Sequence, residues 1–212
     1  MRYALLILVS FLTIGACKQK QSLTDKQKEL SSGILDPQNT YTAEEIGWSV
    51  QLPRGWDVLT KDALKKNTIK GAKLIEETTK TDIDASGLVQ LINIRKDAFN
   101  SFLSTMERFD TTGVGTYEEY NQFVFDLIKQ TYEGKGMNVK YQEGAEMING
   151  IEFQTFETKL FSPDKSKVIL YQKMFNRLIN GYDFGMTMNY NNDTDKETLE
   201  EMVRSSRFRI RD

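Results

Sequence analysis

The side chains able to do chemistry in this chain are few in kind, because its 212 residues contain no histidine and a single cysteine, Cys17. No Ser-His-Asp or Cys-His arrangement can be assembled within it, nor a zinc site of the HExxH or mixed Cys/His type. Carboxylates, lysines, tyrosines and hydroxyls remain. Glu76-Glu77, Glu118-Glu119 and Glu200-Glu201 offer adjacent acids, but consecutive residues of a helix do not face one another and cannot converge on one substrate. They read as solvated faces. A carboxylate-dependent hydrolase, which needs two acids about 5–9.5 Å apart, therefore ranks last among the activities considered. Asn191-Asn192-Asp193-Thr194-Asp195 alternates oxygen ligands in the manner of a calcium loop. With Asn191 first, Lys196 and Met202 stand where that loop needs glycine and a bidentate glutamate. The run reads as helix capping, and neither a metal nor a cofactor is expected.

Four residues are candidates for holding a ligand: Trp48, Trp56, Lys173 and Arg177. The indoles could stack on a sugar, although both sit in apolar strand or turn settings that suit core packing. The two cations sit in a segment whose pairing could place them on an apolar sheet face, where buried cations require partners.

Residues 4–14 form an apolar run interrupted by Ser10 and Thr13, behind the positive start supplied by Arg2. The run is too short to cross a bilayer as a helix, which takes about 20 residues. Its length suits the apolar region of a secretory signal, about 7–15 residues. Ile14-Gly15-Ala16-Cys17 follows, a branched aliphatic, two small residues and then cysteine. This resembles the lipobox of bacterial lipoproteins. The resemblance implies a signal peptide over residues 1–16 and a mature chain beginning at an acylated Cys17, bearing chains such as palmitate. Each buried methylene contributes about 0.8 kcal/mol, so two or three acyl chains hold firmly to a membrane. Lys18 stands where an aspartate would retain a lipoprotein in the inner membrane, so the outer membrane is the expected destination. With its sole cysteine so used, the chain has no thiol left for a disulfide or for catalysis.

Positioning any site falls to the remaining length. Residues 17–40 hold Leu23, Leu30, Ile34 and Leu35 as their large apolar side chains, too few to offset ordering entropy. They read as a flexible tether reaching about 70 Å when extended. Residues 41–212 read as one domain, with 39% hydrophobic residues in the chain, enough for a core. Charge is near balance, 28 basic against 30 acidic residues, without the basic footprint of a nucleic-acid binder.

Ile46, Trp48, Val50 and Leu52 alternate with polar or small residues as in a half-buried strand, which Pro53-Arg54-Gly55-Trp56 turns. Residues 62–79 read as one or two short helices. Residues 87–96 and 100–109 read as antiparallel neighbours. The strongest helix spans 116–134, opened by the capping box Thr116-Tyr117-Glu118-Glu119, with Tyr117, Tyr120, Val124, Leu127 and Ile128 on one face. Asn149-Gly150 and Asn180-Gly181 each lie between apolar runs and predict hairpins pairing 138–148 with 151–161 and 167–179 with 182–190. Tyr182, Phe184, Met186, Met188 and Tyr190 face one way, and Asp183, Gly185, Thr187 and Asn189 the other. A two-residue Asn180-Gly181 loop sets Arg177 opposite Phe184 and Lys173 opposite Met188; a three-residue loop reverses the parity, and both fit the residues. Thr194-Asp195-Lys196-Glu197 predicts a second capping box opening a last helix to Ser205, and 207–211 a short closing strand.

The order of elements predicts an α+β fold, an antiparallel sheet flanked by helices. Leu52-Pro53-x-Gly55-Trp56 after an alternating strand, the central amphipathic helix, the glycine-turned hairpins and the final helix ending in Ser205-Ser206-Arg207-Phe208 resemble the PsbP-like superfamily. That group includes an extrinsic photosystem subunit and bacterial lipoprotein relatives. The resemblance implies an α-β-α sandwich that binds and assembles instead of catalysing. The plant members' cofactor contacts do not carry over, since no residue here matches them. The expected function is thus a lipid-anchored envelope protein with a noncatalytic domain for a protein partner; the alternative is a solute-binding lipoprotein for a sugar or small ligand.

Overall fold

The computed structural model describes residues 21–110 and 115–210. In chain order these form α1 (Leu23–Glu29), β1 (Ile34–Leu35), β2 (Thr40–Ala43), β3 (Trp48–Gln51), β4 (Asp57–Val58), α2 (Lys61–Thr79), β5 (Val89–Gln90), β6 (Ile94–Arg95), β7 (Ser101–Arg108) and α3 (Tyr117–Gly134). There follow β8 (Val139–Ile148), β9 (Ile151–Phe161), β10 (Val168–Ile179), β11 (Tyr182–Tyr190), α4 (Asp193–Arg204) and β12 (Arg207–Phe208).

A large sheet runs in the order β4-β6-β7-β11-β10-β9-β8, with β5 also on β7, and a small one in the order β1-β2-β3-β12. Every pairing is antiparallel. Strand alternation gives the large sheet two buried faces. On one, Phe102, Phe153, Phe175, Phe184, Met186 and Met188 pack with Tyr41 and Trp48 of the small sheet and with Leu199, Met202 and Val203 of α4. On the other, Phe156 and Met174 meet Tyr120, Val124, Phe125, Leu127 and Ile128 of α3 and Ile75 of α2. Leu103 on that same side packs with Leu59 and Leu64. The layers are α2 with α3, then the large sheet, then the small sheet with α4.

Both hairpins form as their dipeptides predict. Asn149 and Gly150 (φ 48° and 80°) and Asn180 and Gly181 (φ 50° and 81°) all adopt left-handed backbone, as a two-residue hairpin turn requires. Ile179 pairs with Tyr182, which settles the parity: Arg177 lies opposite Phe184 and Lys173 opposite Met188. The Thr116 hydroxyl accepts from Glu119 N at 3.2 Å while Thr116 N donates to Glu119 Oε2 at 2.8 Å, so the predicted capping box opens α3.

Four local readings change. Residues 62–79 form one helix, with Gly71 on its buried side. The strand over 87–96 splits, because Ser104 and Asn93 replace ladder bonds: Ile92 N donates to Ser104 Oγ, which donates to Ile92 O, and Ser104 N donates to Asn93 Oδ1. Helix α4 starts earlier than the capping box at Thr194 predicts. Its cap is Asn192, whose side chain accepts from Asp195 N and donates to Asp195 Oδ2, both at 2.9 Å. That accounts for the calcium-like run as capping. Finally, the tether read over 17–40 is ordered from Gln21 onward. Leu30 and Leu35 are 7% and 4% exposed in the main core, and β1 pairs with β2. Two well-placed leucines and a strand pairing offset the ordering cost despite the sparse apolar content.

Candidate functional site

The structure does not bring the four candidate ligand residues together. Trp48 is 0% exposed, donates its indole N–H to Ser206 Oγ at 3.1 Å, and packs on Phe184 with ring centroids 4.9 Å apart. Trp56 is 4% exposed in the same core. Neither indole presents a face to a solute, so the stacking role is replaced by core packing. Lys173 lies between Glu146 at 2.7 Å and Glu157 at 2.8 Å, and 5.4 Å over the Phe175 ring. Burial works to lower its pKa, and the hydrogen bonds and negative charges of Glu146 and Glu157 together outweigh burial and raise it. Its charge is compensated within the sheet, as the buried-cation argument requires. Arg177 is exposed. Cys17 lies outside the described residues.

A cluster that sequence reasoning missed lies beneath the first turn of α3. Asp183 on β11 and Glu107 on β7 are direct cross-strand partners, on the sheet side that α3 covers. The Tyr117 hydroxyl donates to Asp183 Oδ1 at 2.7 Å, and Tyr120 also hydrogen-bonds Asp183. Phe109 closes the group edge-on, its ring 5.3 Å from that of Tyr117 and 5.4 Å from that of Tyr120. Burial pushes the Asp183 carboxyl up to about 6 against the two tyrosine hydrogen bonds, which hold it down. Burial, then the Asp183 and Asp84 charges, push Glu107 up to about 7. Both tyrosines are raised, first by burial and then by the Asp183 charge, so they stay protonated donors. The polar character continues along the sheet, where Thr105 and Asn176 flank Gly185 and the Asn176 amide donates to Asn121 of α3 at 3.3 Å.

Asp183 and Glu107 are paired acids, yet Asp183 is 4% exposed and beneath two tyrosine rings, while Glu107 is half-buried. The arrangement fastens α3 to the sheet through Asp183. The signal for it was the polar alternate face of β11, at Asp183, Gly185, Thr187 and Asn189, opposite a helix rich in tyrosine.

One concave surface among the described residues lies elsewhere. A cavity of about 300 Å³ is lined by Asn138, Val139, Lys140, Phe161 and Lys165. The Lys140 ammonium sits 5.5 Å over the Phe161 ring, and the Asn138 amide donates to Pro163 O at 3.2 Å. Two cations beside an aromatic ring can take an anionic or ring-bearing group; the lining contains no acid, thiol or imidazole for catalysis. This cavity adjoins the start of β8, a ten-residue strand that ends the large sheet, paired to β9 on one side. Among the described residues no strand pairs its other edge, which presents a row of outward backbone donors and acceptors. No group of three or more Cys, Asp or Glu residues able to hold a metal ion occurs among the described residues. No described helix is long and apolar enough to cross a membrane.

No protein-family model matches the chain, and no curated protein matches it. Among solved structures it is similar to the solution structure of cyanobacterial PsbP (CyanoP) from Synechocystis sp. PCC 6803. The TM-score is 0.51 at 10% sequence identity, covering 80% of this chain and 91% of that one. Antiparallel sheets flanked by helices, in the PsbP-like arrangement, are therefore the fold of this chain.

Proposed function

We propose that this chain is a lipid-anchored cell-envelope protein, acylated at Cys17, whose domain binds or helps assemble a protein partner and turns over no substrate. Residues 14–17 support the anchor, and Lys18 favours the outer membrane. The observation that carries the binding reading is the open edge of β8 with the Lys140/Lys165 cavity at its start. An extended segment of a partner adding to that edge would gain main-chain hydrogen bonds, and the cavity would select an acidic or aromatic side chain. Asp183, the buried acid of the β7–β11 pair, is bonded to Tyr117 and Tyr120 of α3, which favours a structural over a catalytic role for it.

Photo-crosslinking in the native envelope tests the reading. A photoreactive residue at Gln142 on the β8 edge should yield a discrete adduct with another protein, and one at Arg177 should not. Isolation of the lipoprotein without any adduct from Gln142, or a turnover assay that finds a reaction, would overturn it. Mass spectrometry showing an unmodified thiol at Cys17 would remove the anchor.

A further inference from the structure

The segment after Cys17 is clamped to the domain at two points. Gln21 brackets the backbone of Val58: its Nε2 donates to Val58 O at 3.0 Å, and Val58 N donates to its Oε1 at 2.8 Å. Eight residues later Glu29 Oε2 accepts from Lys61 N, the first residue of α2, at 2.9 Å. Residues 21–29 are thus held along the stretch that leads into α2. Cys17 stands four residues before Gln21, and four residues span at most about 14 Å. An acylated Cys17 would keep the beginning of α2 close to the bilayer, where a free tether would let it drift several times farther.

Helix α2 has a matching surface. Its buried side carries Leu64, Gly71 and Ile75. Lys61, Lys65, Lys66, Lys70 and Lys73 are exposed, and Ile69, 57% exposed, lies among them. Residues 61–75 hold five lysines against one aspartate in a chain whose formal net charge is −2. The helix's glutamates, Glu76 and Glu77, come at the end away from the anchor, and Glu77 pairs with Lys73 at 3.9 Å. Basic side chains surrounding an exposed aliphatic residue are the pattern of a helix that lies in a membrane interface.

We propose that the outer face of α2 docks on an anionic phospholipid leaflet, its lysines taking headgroup phosphates and Ile69 entering the interface. The inference rests on the acylation of Cys17. A basic surface near a lipid anchor supplies the second signal that stable, oriented attachment uses, and its attraction fades beyond a Debye length of about 8–10 Å. The short reach from Cys17 to Gln21 lets α2 approach within that range, whereas a long tether would leave it beyond that range most of the time. Docking would orient the domain on the membrane.

The full chain, produced in a bacterial host so that Cys17 is processed, supports a direct test. Because Cys17 is the sole cysteine, Ile69→Cys adds a unique thiol for an environment-sensitive dye; Arg177→Cys, from the opposite side of the sheet, is the control. Each is bound to phosphatidylcholine vesicles and to vesicles containing about one-third phosphatidylglycerol. The expected result is flotation with both vesicles and a blue shift at position 69 confined to the anionic ones. Lys65→Glu, Lys66→Glu and Lys70→Glu together should abolish that shift while flotation persists. Flotation without a shift at 69, or an equal shift at 177, overturns the docking and leaves the anchor intact. A shift that appears only after envelope proteins are added overturns it in favour of a protein contact. Failure to float with phosphatidylcholine vesicles, with an unmodified Cys17 mass, overturns the anchor and the docking with it.

Discussion

Asp183 and Glu107 face each other across the β7–β11 ladder, and the hydroxyl of Tyr117, the first residue of α3, donates to Asp183 Oδ1 at 2.7 Å. One buried carboxylate therefore joins a helix to the sheet it covers.

Removing one donor tests how much that joint contributes. Tyr117→Phe leaves the ring packing on Phe109 and deletes a hydrogen bond to a buried charged group, a loss of about 1–3 kcal/mol. Denaturant unfolding should show a lower midpoint at unchanged slope. A midpoint equal to that of the parent would show that the joint does not hold α3.

The same pair predicts a pH dependence. The folded values, about 6 for Asp183 and about 7 for Glu107, lie above the ordinary carboxyl values. The native state therefore binds more protons than the unfolded state between those limits. The contribution of these groups is fully present below the unfolded values and is lost as pH rises through about 6 to 7. Asp183→Asn removes this term, so the unfolding free energy of the variant relative to the parent should improve from pH 4 toward pH 7, by roughly 2 kcal/mol. A parallel pair of stability curves would refute the linkage.

Lys173 bridges Glu146 and Glu157, its ammonium 2.7 and 2.8 Å from their carboxylates. Lys173→Met should cost about 1–3 kcal/mol by leaving two like charges close together on one sheet face. Adding Glu157→Gln should recover part of that loss, a non-additivity that a double-mutant cycle measures. Strict additivity would mean that the three side chains do not act as a unit.

Leu30 and Leu35 distinguish an ordered lead-in from a tether. Each is nearly fully buried, so Leu30→Ala and Leu35→Ala should each destabilise by about 2–4 kcal/mol. Substitutions in a free tether would leave the thermal midpoint unmoved.

Burial also decides the tryptophan signal. With Trp48 at 0% and Trp56 at 4% exposure, acrylamide should quench the native emission weakly and sugars should leave it unchanged. A glycan that alters the emission would restore the solute-binding alternative.

Much of the architecture was legible in short stretches. The Asn-Gly dipeptides specify hairpins because their left-handed backbone is a property of two adjacent residues. The capping box at Thr116 and Glu119 needs a spacing of three residues, and the period-two strands need only their own alternation. These preferences act over a few bonds, so α3, both hairpins and the α+β class could be read directly.

Burial is set by contacts between distant positions and could not be read that way. Tyr117 reaches Asp183 across 66 residues, and Trp48 reaches Ser206 across 158. The polar alternate face of β11 carried no sign that a helix would close over it. Nor did Gln21 reveal that it would grip Val58, 37 positions on, and turn an expected tether into part of the domain. Turn and cap geometry is a matter of local torsions and hydrogen bonds, whereas the choice of which face is covered depends on the summed packing of elements brought together only by the whole fold.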